Sequence, residues 1–72
     1  SRELRAARYV ANILFKSTKN MNIVFKVAEK DPVMREYMID FVTGTRPLPQ
    51  VRAKMIRRML TRHPMMAMRL RL

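Results

Sequence analysis

The sequence predicts an all-α fold of three to four short helices followed by a basic, extended C-terminal arm. Apolar residues recur at helical spacing along most of the chain, and helix-boundary residues separate the segments. With 72 residues, of which 49% are hydrophobic, the chain is expected to form one small domain. That apolar content is too high for a typical disordered chain, whereas a core this small usually needs partners to complete it.

The first predicted helix covers about residues 3–17. At 100° per residue, its polar side chains Arg5, Arg8, Asn12 and Lys16 fall on one narrow strip, and apolar side chains occupy the rest of the circumference. An apolar arc this wide exceeds what one neighbouring helix covers. We therefore expect this helix to be buried on several sides.

The next stretch, residues 17–22, has the composition of turns and helix caps and is expected to interrupt the helices. Residues 23–28 then form a second apolar segment, predicted to be helical. Its β-branched residues leave a strand open as an alternative, but the neighbouring sequence offers no second strand to pair with it.

The third predicted helix has the clearest boundaries. Asp31 suits the N-cap position and Pro32 the first helical position. Gly44, the only glycine, lies where the helix is expected to end in a left-handed residue. Met34 and Met38 are four residues apart and are expected in the core. Residues 1–44 are thus predicted to form a helical packing region.

A proline-containing linker is predicted over residues 45–49, because each proline disfavours helix in the residue before it. Pro49 then opens a basic amphipathic helix over residues 50–63, with Val51, Met55 and Met59 on its apolar side. The last predicted segment is a basic, Met-rich tail, residues 64–72. Its final residues alternate apolar and basic side chains, which is typical of an extended arm.

The charge is distributed unevenly along the chain. Residues 1–40 carry eight basic and five acidic side chains, a net charge of +3, whereas residues 41–72 carry eight basic side chains and no acid, a net charge of +8. Self-repulsion at this density favours binding to a polyanion such as RNA, DNA or anionic lipid. The candidate nucleic-acid-binding residues are Arg46, Arg52, Lys54, Arg57, Arg58, Arg62, Arg69 and Arg71.

Several classes of chemistry are disfavoured by the composition. The chain has no cysteine, one histidine and one glycine, so neither a disulfide framework, a multi-histidine metal site nor a glycine-rich phosphate loop is expected. His63 lies beside a proline and is interpreted as a helix-terminus residue or a phosphate contact. Glu36 and Asp40 share an exposed face and are expected to pair with nearby cations. We expect no catalysis, no cofactor, no metal and no transmembrane span.

The leading functional hypothesis is a structural subunit of a large ribonucleoprotein, specifically a small organellar ribosomal protein that binds rRNA phosphates and neighbouring protein subunits. The expected location is the mitochondrion, or otherwise the cell interior. The alternative is a small accessory subunit of a mitochondrial membrane complex, such as a respiratory enzyme or ATP synthase, with peripheral membrane contact through its basic half. A DNA-packaging or viral protein is a third reading. Ser1 is expected to follow a removed initiator methionine or a cleaved presequence.

Overall fold

The computed structural model describes residues 2–71 and, within them, every side chain except those of Leu4 and Ala7. This part of the chain is all-α, as predicted, and contains no strand. Its five helices are α1 (Arg2–Lys16), α2 (Thr18–Lys30), α3 (Pro32–Thr43), α4 (Leu48–Arg62) and α5 (Pro64–Ala67).

The junction between α1 and α2 is tighter than the sequence predicts. A single residue, Ser17, separates the two helices, and its side chain accepts a hydrogen bond from the backbone N–H of Asn20. The expected interruption is confirmed at Ser17, but its predicted extent over residues 17–22 was wrong. Ser17 alone supplies the cap, and the polar residues after it continue in the first turns of α2.

The boundaries of α3 agree with their prediction. The Asp31 side chain accepts hydrogen bonds from the backbone N–H groups of Val33 and Met34, and Pro32 opens the helix. Gly44 ends it in the left-handed region, with a φ of 68°. Asp31 also ends α2, because its backbone N–H donates to the carbonyl of Val27. One residue thus joins two consecutive helices.

The link from α3 to α4 is shorter than the predicted 45–49 linker. Helix α4 begins at Leu48 and takes Pro49 into its first turn, because the amide that proline lacks has no intrahelical partner there. The helix ends at Arg62, and His63 caps its C-terminus by donating its backbone N–H to the carbonyl of Met59.

The core lies among α2, α3 and α4. Its largest fully buried side chains are methionines: Met34 of α3 and Met55 and Met59 of α4 are each at most 1% exposed. Val24 and Val27 of α2 pack against them. The unbranched methionine side chain adapts to irregular gaps, which suits a core formed by helices this short. The sequence prediction that Met34 and Met38 lie in the core is confirmed.

The tail does not form an extended arm, and that prediction was wrong for the residues described. Residues 64–67 form α5, and Met66, Ala67 and Leu70 pack against the core. The backbone of Arg71 then exchanges two hydrogen bonds with the buried side chain of Asn20: Nδ2 of Asn20 donates to the Arg71 carbonyl at 2.6 Å, and the Arg71 amide donates to Oδ1 at 2.8 Å. These contacts hold Arg71 against the start of α2.

Helix α1 is less buried than its apolar arc predicts. Among its described side chains only Leu14 is buried, whereas Tyr9 is 67% and Val10 is 36% exposed. The C-terminal end of α1 meets the rest of the fold, where Phe15 stacks on Phe41 with ring centroids 5.4 Å apart. The expectation of burial on several sides was therefore wrong for this chain by itself.

Candidate nucleic-acid interface

The eight candidate cations divide into two groups by their exposure. The exposed group contains Arg46, Lys54, Arg57, Arg62, Arg69 and Arg71. Arg52 and Arg58 are half-buried and make specific contacts inside the fold. Charge alone does not separate the two groups, but exposure does. The candidate interface is therefore reduced to the exposed cations.

Arg58 belongs to a buried polar cluster with Asp31. Its Nε donates to Asp31 Oδ2 at 2.8 Å and its Nη2 to Oδ1 at 3.1 Å, a two-pronged ion pair that joins α4 to the α2–α3 junction. Asp31 is only 5% exposed. Pairing with the Arg58 guanidinium is the largest of the effects that hold the pKa of Asp31 well below its usual range, against the opposing effect of desolvation.

His63 completes this cluster. Its Nε2 lies 2.6 Å from Asp31 Oδ2, in addition to its role at the end of α4. The helix-terminus interpretation of His63 is therefore confirmed, and the partner of its ring is a carboxylate of this chain. The side chain of Asp31 meets two helix amides, a guanidinium and an imidazole, which explains how a charged group is accommodated at this depth.

A spacing in the sequence indicates that Arg58 lies on the buried side of α4. Arg58 follows Val51 by seven residues, which is close to two full helical turns, so both lie near the same face of α4. Val51 is 2% exposed. The sequence interpretation grouped Arg58 with the outward-facing cations and overlooked this spacing.

Arg46 and Arg52 also have partners within the fold. Arg46 Nε lies 3.6 Å from Asp40 Oδ2, so Asp40 pairs with a nearby cation, as expected. Within residues 2–71, Glu36 forms no ion pair, so the same expectation was wrong for Glu36. Arg52 Nη1 donates to Asn12 Oδ1 at 2.9 Å, and its guanidinium carbon lies 5.8 Å from the centre of the Phe15 ring. Arg52 therefore helps to hold α1 against α4.

Lys54, Arg57 and Arg62 remain as exposed cations on α4, and Arg69 and Arg71 follow in the tail. Within residues 2–71, none of the five forms an ion pair. Lys54 and Arg62 are eight residues apart, about 12 Å along the helix axis. These five exposed side chains, Lys54, Arg57, Arg62, Arg69 and Arg71, are hereafter together called the basic surface, wherever they lie on the fold. Its guanidinium and ammonium groups are suited to phosphate oxygens.

A groove between α1 and α4 lies beside the basic surface and was not anticipated from the sequence. Its volume is about 860 Å³. It is lined by Arg8, Ala11, Asn12, Pro49, Arg52, Ala53, Ile56, Arg57 and Leu60. Arg8 thus joins the cations near α4. The polar strip on α1 is visible in the sequence. The packing of α1 beside α4 is needed to show which side chains of α4 face that strip.

Within residues 2–71, there is no cluster of three His, Asp or Glu side chains that could ligate a metal ion. The helices described there also fall short of the length and apolarity needed to cross a bilayer. Comparison with known proteins yields no matching family model, no similar curated protein and no similar solved structure.

Proposed function

We propose that this protein is a non-catalytic structural subunit of a ribonucleoprotein and that its basic surface contacts RNA phosphates. In the form we favour, the particle is a mitochondrial ribosome and the RNA is rRNA. The protein then acts by neutralising backbone charge where RNA segments and protein subunits meet.

The observation that carries this proposal is the exposed, acid-free charge of the C-terminal part. Residues 41–72 contain eight cations and no acid, and five of these cations are exposed without an ion pair among the described residues. Cations that a fold leaves uncompensated repel one another. Phosphates relieve that repulsion and release condensed counterions, which is the main source of affinity in nucleic-acid binding.

The side chains on α4 favour backbone contact over base reading. Gln50 is the one Asn or Gln in α4, so the helix has almost no amide side chain to read adenine. The link from α3 to α4 has four residues and begins with Gly44, a length that a helix-turn-helix turn also has, so the side chains of α4, and not this link, disfavour base reading. Phosphate binding with little sequence preference is therefore the mode that these residues support.

The test is RNA affinity as a function of salt. We expect replacement of Lys54, Arg57 and Arg62 by Gln to lower the slope of log K against log salt by roughly 2 to 3, at about 0.7–0.9 per lost contact. The matched control replaces Lys19, Lys26 and Lys30 of α2 by Gln, which removes the same charge from exposed positions elsewhere. Equal losses in the two triple variants, or no RNA binding near physiological salt, would contradict the proposal.

A second candidate function rests on α1. The exposed Tyr9 and Val10 form part of an apolar surface that the described fold leaves uncovered. If this chain is an accessory subunit of a mitochondrial membrane complex, larger subunits of that complex cover this surface. Affinity purification of the tagged protein separates the two: rRNA with ribosomal proteins supports the first function, and membrane-complex subunits without RNA support the second.

A further inference from the structure

Helix α4 has a second apolar stripe besides the one in the core. Val51, Met55 and Met59 face α2 and α3, and their exposure is at most 2%. The second stripe consists of Pro49, Ala53, Ile56 and Leu60 and lines the groove beside α1. Leu60 is 61% exposed, so much of this stripe remains open to solvent.

The spacing within this stripe is that of a helix-packing seam. Its residues are separated by four, three and four positions, which is the heptad spacing that allows side chains of a second helix to interdigitate. The stripe extends for about 16 Å along α4, or three helical turns. Ala11 and Ala53, with their small side chains, lie on opposite sides of the groove and give a helix room to approach.

The charges around the groove are all of one sign. Arg8 lines it from α1, and Arg52 and Arg57 line it from α4. No acidic side chain is among the described lining residues. An occupant therefore needs apolar side chains in the middle and negative charge along its edges.

We propose that the groove between α1 and α4 binds an acidic amphipathic α-helix of a partner protein. The apolar face of that helix packs on Ala53, Ile56 and Leu60, and its flanking carboxylates pair with Arg8 and Arg57. This helix-in-groove mode matches the groove's heptad spacing and its charge. The inference does not require RNA binding, and Arg57 is shared by the groove lining and the basic surface.

Other occupants fit the lining less well. Nucleic acid would engage the arginines and leave the apolar stripe unused. Amphipathic surfaces that lie on lipid usually present Trp or Phe, and no aromatic side chain is among the described lining residues. A second copy of this chain carries the same positive charge, +11 overall, and would be repelled.

The direct experiment uses three designed peptides of about 18 residues, labelled for fluorescence anisotropy and measured at 150 mM salt. The first has Leu at heptad spacing flanked by Glu, the second has Lys in place of Glu, and the third is a scramble of the first that breaks the spacing. We expect the first to bind and gain helical circular dichroism, and the other two to bind at least tenfold more weakly. Equal binding of the scramble or the Lys peptide overturns the proposal.

Two groove variants and two matched controls locate the binding. We expect Leu60→Gln to weaken the acidic peptide about tenfold and Arg8→Glu to weaken it about fivefold. The controls are Val42→Gln, at a residue that is 74% exposed on α3, and Arg5→Glu, at an exposed cation of α1 outside the groove lining. Circular dichroism of each variant checks that the fold is retained. Equal effects of groove and control variants overturn the assignment.

Three further readouts distinguish the other occupants. Self-association that is abolished by Leu60→Gln overturns the proposal in favour of a second copy of this chain. Binding to anionic phospholipid vesicles that displaces the peptide overturns it in favour of a lipid surface. The Lys54→Gln/Arg62→Gln double variant, which leaves the groove lining intact, is expected to bind the acidic peptide normally while losing RNA affinity. Failure of peptide binding is thus distinguishable from failure of the RNA-binding function.

Discussion

Replacing Asp31 by Asn is the sharpest test of how this small fold is held together. The Asp31 carboxylate accepts hydrogen bonds from two backbone amides of α3 and from Nε and Nη2 of Arg58, and it contacts the imidazole of His63. Asparagine is nearly isosteric and is itself a good N-cap, so the Asp31→Asn change keeps the cap and removes the charge. It therefore isolates the interaction that connects α4 to the α2–α3 junction.

The expected cost follows from the contacts. Hydrogen bonds to a charged group contribute about 1.5–3 kcal/mol, and the Arg58 side chain is 26% exposed, so water screens part of this attraction. We expect Asp31→Asn to lower the free energy of unfolding by about 2 kcal/mol. Asp31→Ala also removes the cap and should cost about 1 kcal/mol more. A chain of 72 residues typically has roughly 4–10 kcal/mol of stability, so these losses are large.

The assay is urea unfolding at pH 7, followed by far-ultraviolet circular dichroism. The matched control is Asp40→Asn, because the Asp40 side chain is 29% exposed and meets Arg46 only at 3.6 Å. We expect the control to lose less than about 0.5 kcal/mol. If Asp31→Asn costs no more than Asp40→Asn, the buried ion pair does not stabilise the fold and the reasoning is refuted.

Three other perturbations have definite expected outcomes. The Arg58 ion pair depresses the pKa of Asp31 below its ordinary value of 3.8. The contribution of the Asp31 carboxylate to stability is therefore present above about pH 4 and is lost as the pH falls towards the folded-state pKa. Urea midpoints between pH 5 and pH 2 should show this loss in the wild type and much less of it in Asp31→Asn. Gly44→Ala should cost about 1 kcal/mol because Gly44 has a φ of 68°, and Gly44→Asn should cost less; equal melting temperatures for wild type and Gly44→Ala would contradict this. Asn20→Ala removes both hydrogen bonds to the Arg71 backbone, so amide exchange should accelerate at Arg71 and not at the core residue Met59; unchanged exchange at Arg71 would show that the tail is held by other contacts.

The helical class and the features that depend on near neighbours can be predicted from the sequence. Asp31, Pro32 and Gly44 mark the ends of α3 because caps and left-handed C-termini involve residues within about four positions of each other. Met34 and Met38 were assigned to the core for the same local reason, through helical periodicity. Of the candidate interface, the exposed placement of Lys54 and Arg57 also follows from helical angle, whereas Arg62 follows the buried Met55 by seven residues and is nevertheless exposed at the end of α4.

The polar pairs that join distant parts of the chain are visible only in the folded structure. Arg58 reaches Asp31 across 27 positions, and Arg71 meets Asn20 across 51. Such pairs depend on how whole helices pack, and a helical period contains no information on that distance. The same limit explains why the sequence predicts an extended arm where the tail packs on the core, and why it does not indicate the groove between α1 and α4. An apolar face shows in the sequence, but the neighbour that covers it, or leaves it open, is decided by packing.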